Sequence, residues 1–114
     1  MKYNANNFEI SIFEKENGEK LLLSPFSIVR IKVKENKTNF SDWFKNDIGL
    51  KYLDKNTGIY TLDLRIIDLK KNKFEAVLTD RTDIVLTITY GKLLDIEVLS
   101  NYDYLINELK YILN

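Results

Sequence analysis

From residue 59 to residue 98 apolar and polar side chains alternate, and short turn clusters cut the run into four pieces. A period of two places successive side chains on opposite faces of a strand, whereas a helix repeats every 3.6 residues. This stretch therefore has to fold as a series of half-buried strands. Tyr60, Leu62, Leu64 and Ile66 share one face of the first piece, 59–69. Phe74, Ala76 and Leu78 share a face of the second, Ile84, Leu86, Ile88 and Tyr90 of the third, and Leu94, Ile96 and Val98 of the fourth. Lys70-Lys71-Asn72, Asp80-Arg81-Thr82-Asp83 and Gly91-Lys92 supply the turns. Connections this short favour antiparallel neighbours, because parallel pairing needs long crossovers.

The first half carries the same signal with more interruptions. Phe8, Ile10 and Ile12 alternate with polar residues, Asn17-Gly18 marks a tight turn, and Leu21-Leu22-Leu23 opens another strand. Pro25 imposes an edge position or a bend. Over 27–34, Val29, Ile31 and Val33 take one face and Arg30, Lys32 and Lys34 the other. Leu50, Tyr52 and Leu53 then offer a short strand before the turn cluster Asp54-Lys55-Asn56-Thr57-Gly58.

Two segments read as helix. Phe40, Trp43 and Phe44 recur at the spacing of one helical face, with Asn39 or Ser41 as cap, predicting a short aromatic helix over 40–46. Ser100 caps a second, over 101–113, whose stripe is Tyr102, Leu105, Ile106, Leu109, Ile112 and Leu113. The fold class expected is α+β in a single domain of 114 residues. It is a predominantly antiparallel sheet of six or seven strands, covered in part by the C-terminal helix. A partly closed barrel is the alternative, because Phe13, Ile67, Val77, Val85 and Leu99 place apolar side chains on the second faces of their strands.

Composition bears on function mainly by exclusion. The chain has no histidine and no cysteine. Those side chains carry most neutral-pH proton transfer, most thiol nucleophilicity and most transition-metal ligation. The glycines at 18, 49, 58 and 91 stand alone, so no phosphate-cradling loop is present, and no Gly-x-Ser-x-Gly elbow occurs. The expectation is a protein that is not an enzyme and takes no cofactor or metal. No 18-residue apolar run and no apolar leader at Met1-Lys2-Tyr3-Asn4-Ala5 is present, which gives the expectation of a cytoplasmic chain without a membrane span.

Seventeen basic side chains balance seventeen acidic ones. A general nucleic-acid binder carries a basic footprint, so phosphate recognition here would need a local patch. Arg30, Lys32 and Lys34 are the candidate: same-face neighbours on a strand are roughly 6.6 Å apart, near the phosphate step of an extended single strand. A solvated sheet face that discourages edge aggregation accounts for the same row, and nucleic acid is the less favoured partner.

Trp43 with Phe40 and Phe44, amid Asp42, Lys45, Asn46 and Asp47, has the composition of a protein-binding hot spot. The competing reading is that the three rings staple a short helix to the sheet. Asp80, Asp83, Asp95 and Glu97, with Asp63 and Asp68, offer an acidic surface to a basic partner, although turns and outer sheet faces use such residues in any case. These features predict a small binding protein that inhibits or neutralises another protein by occupying its surface. The partner expected is a toxin or host-defence component, as for immunity and phage anti-defence proteins. A subunit of a phage tail or baseplate-like assembly, built by homo-oligomerisation, is the second reading, and a single-strand nucleic-acid module the third.

Overall fold

The computed structural model describes residues 2–5, 8–15, 17–35 and 40–100. Alternation produces strands as expected. β1 (Lys2–Ala5), β2 (Phe8–Glu14) and β3 (Lys20–Leu23) form one antiparallel sheet. β4 (Ile28–Lys34), β5 (Leu53–Asp54), β6 (Ile59–Leu69), β7 (Lys73–Leu78), β8 (Arg81–Thr89) and β9 (Leu93–Ser100) form another, in the order β8-β7-β6-β4-β9 with β5 added beside β6. Every pairing is antiparallel. The single sheet of the sequence reading is thus two sheets.

The β8–β9 connection dictates the shape of the larger sheet. These strands lie four strand gaps apart in the order, yet only Tyr90–Lys92 joins them. In a flat sheet the gap would be about 19 Å at ~4.8 Å per strand. The backbone steps from Thr89 to Leu93 reach at most about 14 Å. The sheet must therefore curl on itself. It does not close: β8 and β9 are not paired with one another. The barrel alternative ends as a curled, open sheet.

The inside of the curl is the core. Val29, Ile31 and Val33 from β4 meet Tyr60, Leu62, Leu64 and Ile66 from β6. Phe74, Ala76 and Leu78 from β7, Ile84, Leu86 and Ile88 from β8, and Ile96 from β9 join them, as do Leu69 at the end of β6, Leu23 of β3 in the small sheet, and Phe40 and Phe44, all buried. One irregularity explains an apparent misfit. Ile66 pairs Ala76 and Asp68 pairs Glu75, so Ile67 is an extra residue in the β6–β7 ladder. Such a bulge resets the alternation: Ile66 and Leu69 are buried while Ile67 is exposed. Val85 and Leu99 are also exposed, as outer-face residues.

Two further expectations change. Residues 40–46 do not form a regular α-helix. The turn Phe44–Ile48 is π-helical, closed by the Gly49 amide donating to the Phe44 carbonyl, and a 3-10 turn Gly49–Lys51 follows. That turn occupies most of the strand expected near residues 50–53, leaving β5 with two residues. Ser100 ends β9 opposite Ile28; the helix expected over 101–113, which Ser100 was expected to cap, lies outside the described residues. Pro25 marks a bend. Ser27 donates its amide to the Ser24 carbonyl at 3.2 Å around Pro25 and Phe26, and Phe26 has φ +74°. This is the position where type II turns favour glycine.

Candidate functional site

The outer face of the curled sheet carries the charge. On β4, Arg30 and Lys32 point outward between Asp63 and Thr61 of β6 on one side and Glu97 and Asp95 of β9 on the other. The side chains follow from alternation alone; their meeting follows from register, which places Arg30 opposite both Asp63 and Glu97, and Lys32 opposite both Thr61 and Asp95. Thr79 and Asp80, in the β7–β8 turn, and Tyr52 complete the walls of an open groove of about 630 Å³.

Hydrogen bonds hold these groups in place. Arg30 donates to Asp63 through Nε at 2.8 Å and Nη2 at 3.0 Å, a two-point fork whose orientation is fixed by its geometry. Asp80 accepts from Lys51 Nζ at 2.5 Å and from the Tyr52 hydroxyl at 2.6 Å. The Lys51 ammonium first, and the Tyr52 hydroxyl second, hold the Asp80 carboxyl below its ordinary value. Asp95 is also lowered, chiefly by the ammonium of Lys15, 2.9 Å away. Lys15 follows β2, so this ion pair links the small sheet to the groove. The groove lining holds four carboxylates, Asp63, Asp80, Asp95 and Glu97, against two cations, Arg30 and Lys32.

The candidate residues thus separate. Asp80, Asp95 and Glu97 share the groove with Asp63, whereas Asp83 does not line it. Asp83 receives both Arg81 Nε at 3.1 Å and Arg81 Nη2 at 2.9 Å, which lowers its carboxyl. Asp68 lies near Lys70, also away from the groove. Arg30 and Lys32 line the groove and Lys34 does not. The cationic row is therefore set among acids on both flanking strands, and it is not a basic stripe. Lys51 and Thr79 were not among the sequence candidates. They belong to turns, where no periodicity marks a side chain's direction.

The aromatic segment divides by burial. Phe44 is fully buried and Phe40 nearly so, whereas Trp43 is 50% exposed. The rings of Phe40 and Phe44 meet edge-to-face at 4.7 Å, and Phe44 stacks on Tyr52 with ring centroids 6.5 Å apart. Trp43 contacts the edge of Phe44 at 6.4 Å. The indole therefore stands on a buried ring that also backs the groove wall at Tyr52. Leu50, in the following turn, is 51% exposed.

Among the described residues no group of three or more acidic, histidine or cysteine side chains is placed to hold a metal ion, and no helix is long and apolar enough to cross a membrane. Comparison with known protein families, with curated proteins and with solved structures gives no match to this chain.

Proposed function

We propose that this chain is a non-enzymatic binding protein of the toxin-immunity or anti-defence type, which acts by covering a surface of another protein. The observation that carries the reading is the half-exposed Trp43 on its buried mount of Phe40 and Phe44. Interface hot spots are enriched in tryptophan because one rigid side chain buries much area at low entropic cost. Single exposed apolar side chains are ordinary on a protein surface, so the weight lies in the residue type and its setting: the chain's one indole stands on a buried ring, with the exposed Leu50 in the turn that follows. The nearby groove sets carboxylates beside the cations that pair them, Asp63 with Arg30, Asp80 with Lys51 and Asp95 with Lys15, and favours a partner whose charged side chains complement that pattern around an indole-sized pocket.

The test is an affinity capture from native host lysate with three baits: the wild-type chain, Trp43→Ala, and the triple variant Asp80→Asn, Asp95→Asn, Glu97→Gln. The expected result is one stoichiometric protein recovered by wild type, resistant to nuclease, and lost by at least about tenfold with Trp43→Ala. The triple variant should weaken recovery mainly at low salt. Equal recovery by Trp43→Ala, or recovery abolished by nuclease, overturns the proposal.

A further inference from the structure

The two edges of the large sheet differ in how they meet another strand. β9 is guarded. Its ladder with β4 has irregularities between Ile28 and Val29 and between Lys32 and Val33, and its outer face carries Asp95 and Glu97. Any two-fold antiparallel pairing of β9 with itself centred on 95, 96 or 97 sets carboxylate against carboxylate or a carboxylate against its own copy, a repulsive arrangement. Twist, bulges and charge of this kind are how proteins blunt an edge.

β8 has no such guard along its regular part. From Val85 to Thr89 its ladder with β7 runs without a shift, Val77 opposite Val85 through Lys73 opposite Thr89. The stretch Ile84-Val85-Leu86-Thr87-Ile88-Thr89 contains no charge, glycine or proline. Among the described residues no strand pairs with its outer edge. Leu86 and Ile88 point into the core, while Val85 and Thr87 are exposed, Val85 at 54%. The charges nearest this stretch on β8, Arg81 and Asp83, are already paired to each other.

We infer that the β8 edge is a self-association surface, taken by β8 of a second copy of this chain in antiparallel pairing about a two-fold axis at Thr87. In that register Thr87 meets Thr87 of the second copy, Val85 meets Thr89 and Leu86 meets Ile88. Every facing pair is then uncharged, and the outer face is wholly β-branched, the side-chain class that stabilises cross-strand pairs best. A two-fold contact is closed: it uses both free edges and ends at a dimer with one continuous sheet. Pairing of β8 with β9 of another copy would be heterologous and could continue into an open stack, which the guarded β9 edge opposes.

Because the chain has no cysteine, a single introduced thiol reports the register. Residues facing each other in an antiparallel pair have Cα atoms ~4.5–5.5 Å apart, within disulfide reach. Sedimentation of the wild-type chain from micromolar to near-millimolar concentration is expected to show a monomer–dimer equilibrium. Thr87→Lys, which changes an exposed side chain, should weaken it by at least about tenfold. Under mild oxidation Thr87→Cys should form a disulfide-linked dimer in far higher yield than Leu94→Cys, an exposed position on β9. A monomer throughout the range overturns the inference. So does a dimer indifferent to Thr87→Lys, or equal cross-linking of the two cysteine variants.

Discussion

Asp80 shows how much one surface carboxylate can organise. It lies in the tight β7–β8 turn, where an acid is unremarkable, yet it accepts from Lys51 and from Tyr52, residues on the far side of the β5–β6 hairpin. Its folded-state pKa lies below the unfolded one because the Lys51 ammonium, then the Tyr52 hydroxyl, hydrogen-bond the charged form. A depressed carboxyl contributes stability that is present above the unfolded value and lost as pH falls through the folded value. Lys51 is shifted the other way, raised mainly by its hydrogen bond to Asp80. Its contribution is present below the ordinary lysine value and lost as pH rises through the raised one. Thermal melts of wild type should therefore lose stability below about pH 4 and again above about pH 10. Asp80→Asn should lessen both losses, leaving a flatter profile at each end. A mutant profile parallel to that of wild type at both ends would show that the contact does not persist in solution.

At the scale of the elements, the turn after Phe44 is where local pattern and tertiary packing part. The sequence reads Phe40, Trp43 and Phe44 as one face because a regular helix superposes them. In the structure Phe40 and Phe44 reach the core while Trp43, which precedes the π-helical turn, stays half exposed. Gly49 makes that closure possible for a steric reason. A Cβ there would sit 2.9 Å from the Phe44 carbonyl oxygen and 3.1 Å from both the Phe44 and Tyr60 rings. Gly49→Ala would ordinarily gain from reduced unfolded-state entropy, but the carbonyl is backbone and Tyr60 is fully buried, so the neighbours have little room to yield. Overpacking of this kind costs roughly 1–3 kcal/mol. Chemical denaturation should find Gly49→Ala destabilised on that scale and Gly91→Ala, where a Cβ meets open space, unchanged or slightly stabilised. Equal behaviour of the two variants would contradict the packing. The same segment shows the limit of what was legible. Alternation located β4, β6, β7 and β9 within a residue or two, because each faces one core and one solvent layer. β1 was missed because Lys2-Tyr3-Asn4-Ala5 is only four residues long and its alternation rests on one tyrosine and one alanine, too weak an apolar signal to mark a strand. The start of β8 was read as turn because Arg81, Thr82 and Asp83 are polar on both faces. The groove was half legible: alternation aims Arg30, Lys32, Asp95 and Glu97 outward, but only register decides that β4 runs between β6 and β9.

For the whole molecule the open question of stability is how a three-stranded sheet and a curled larger one hold together. Two links can be compared. One is the ion pair of Lys15 with Asp95, both partly solvated, a kind of contact that contributes little because water screens it and ordering two side chains opposes it. The other is aromatic. Tyr90 lies in the short turn that forces the large sheet to curl, where its ring meets Phe13 of β2 edge-to-face at 5.3 Å and Phe74 of β7 at 5.8 Å. Its amide also donates to the Asn72 carbonyl at 3.0 Å, fixing the turn against the β6–β7 connection. Truncating such a ring removes two aromatic contacts and the apolar area between the sheets together. Tyr90→Ala is therefore expected to lower unfolding free energy by about 2–4 kcal/mol, whereas Asp95→Asn should leave the denaturation midpoint nearly unchanged. Hydrogen exchange locates the effect. In Tyr90→Ala the amides of β2 and β3 should exchange much faster while those of β6 and β7 keep most of their protection, because among the described residues nearly all of the buried core, Leu62, Leu64 and Phe74 included, comes from the large sheet, and the small sheet adds only Leu23 as a fully buried member. Uniform loss of protection would mean that the two sheets unfold as one unit and that the curl itself, rather than the docking of the small sheet, rests on Tyr90.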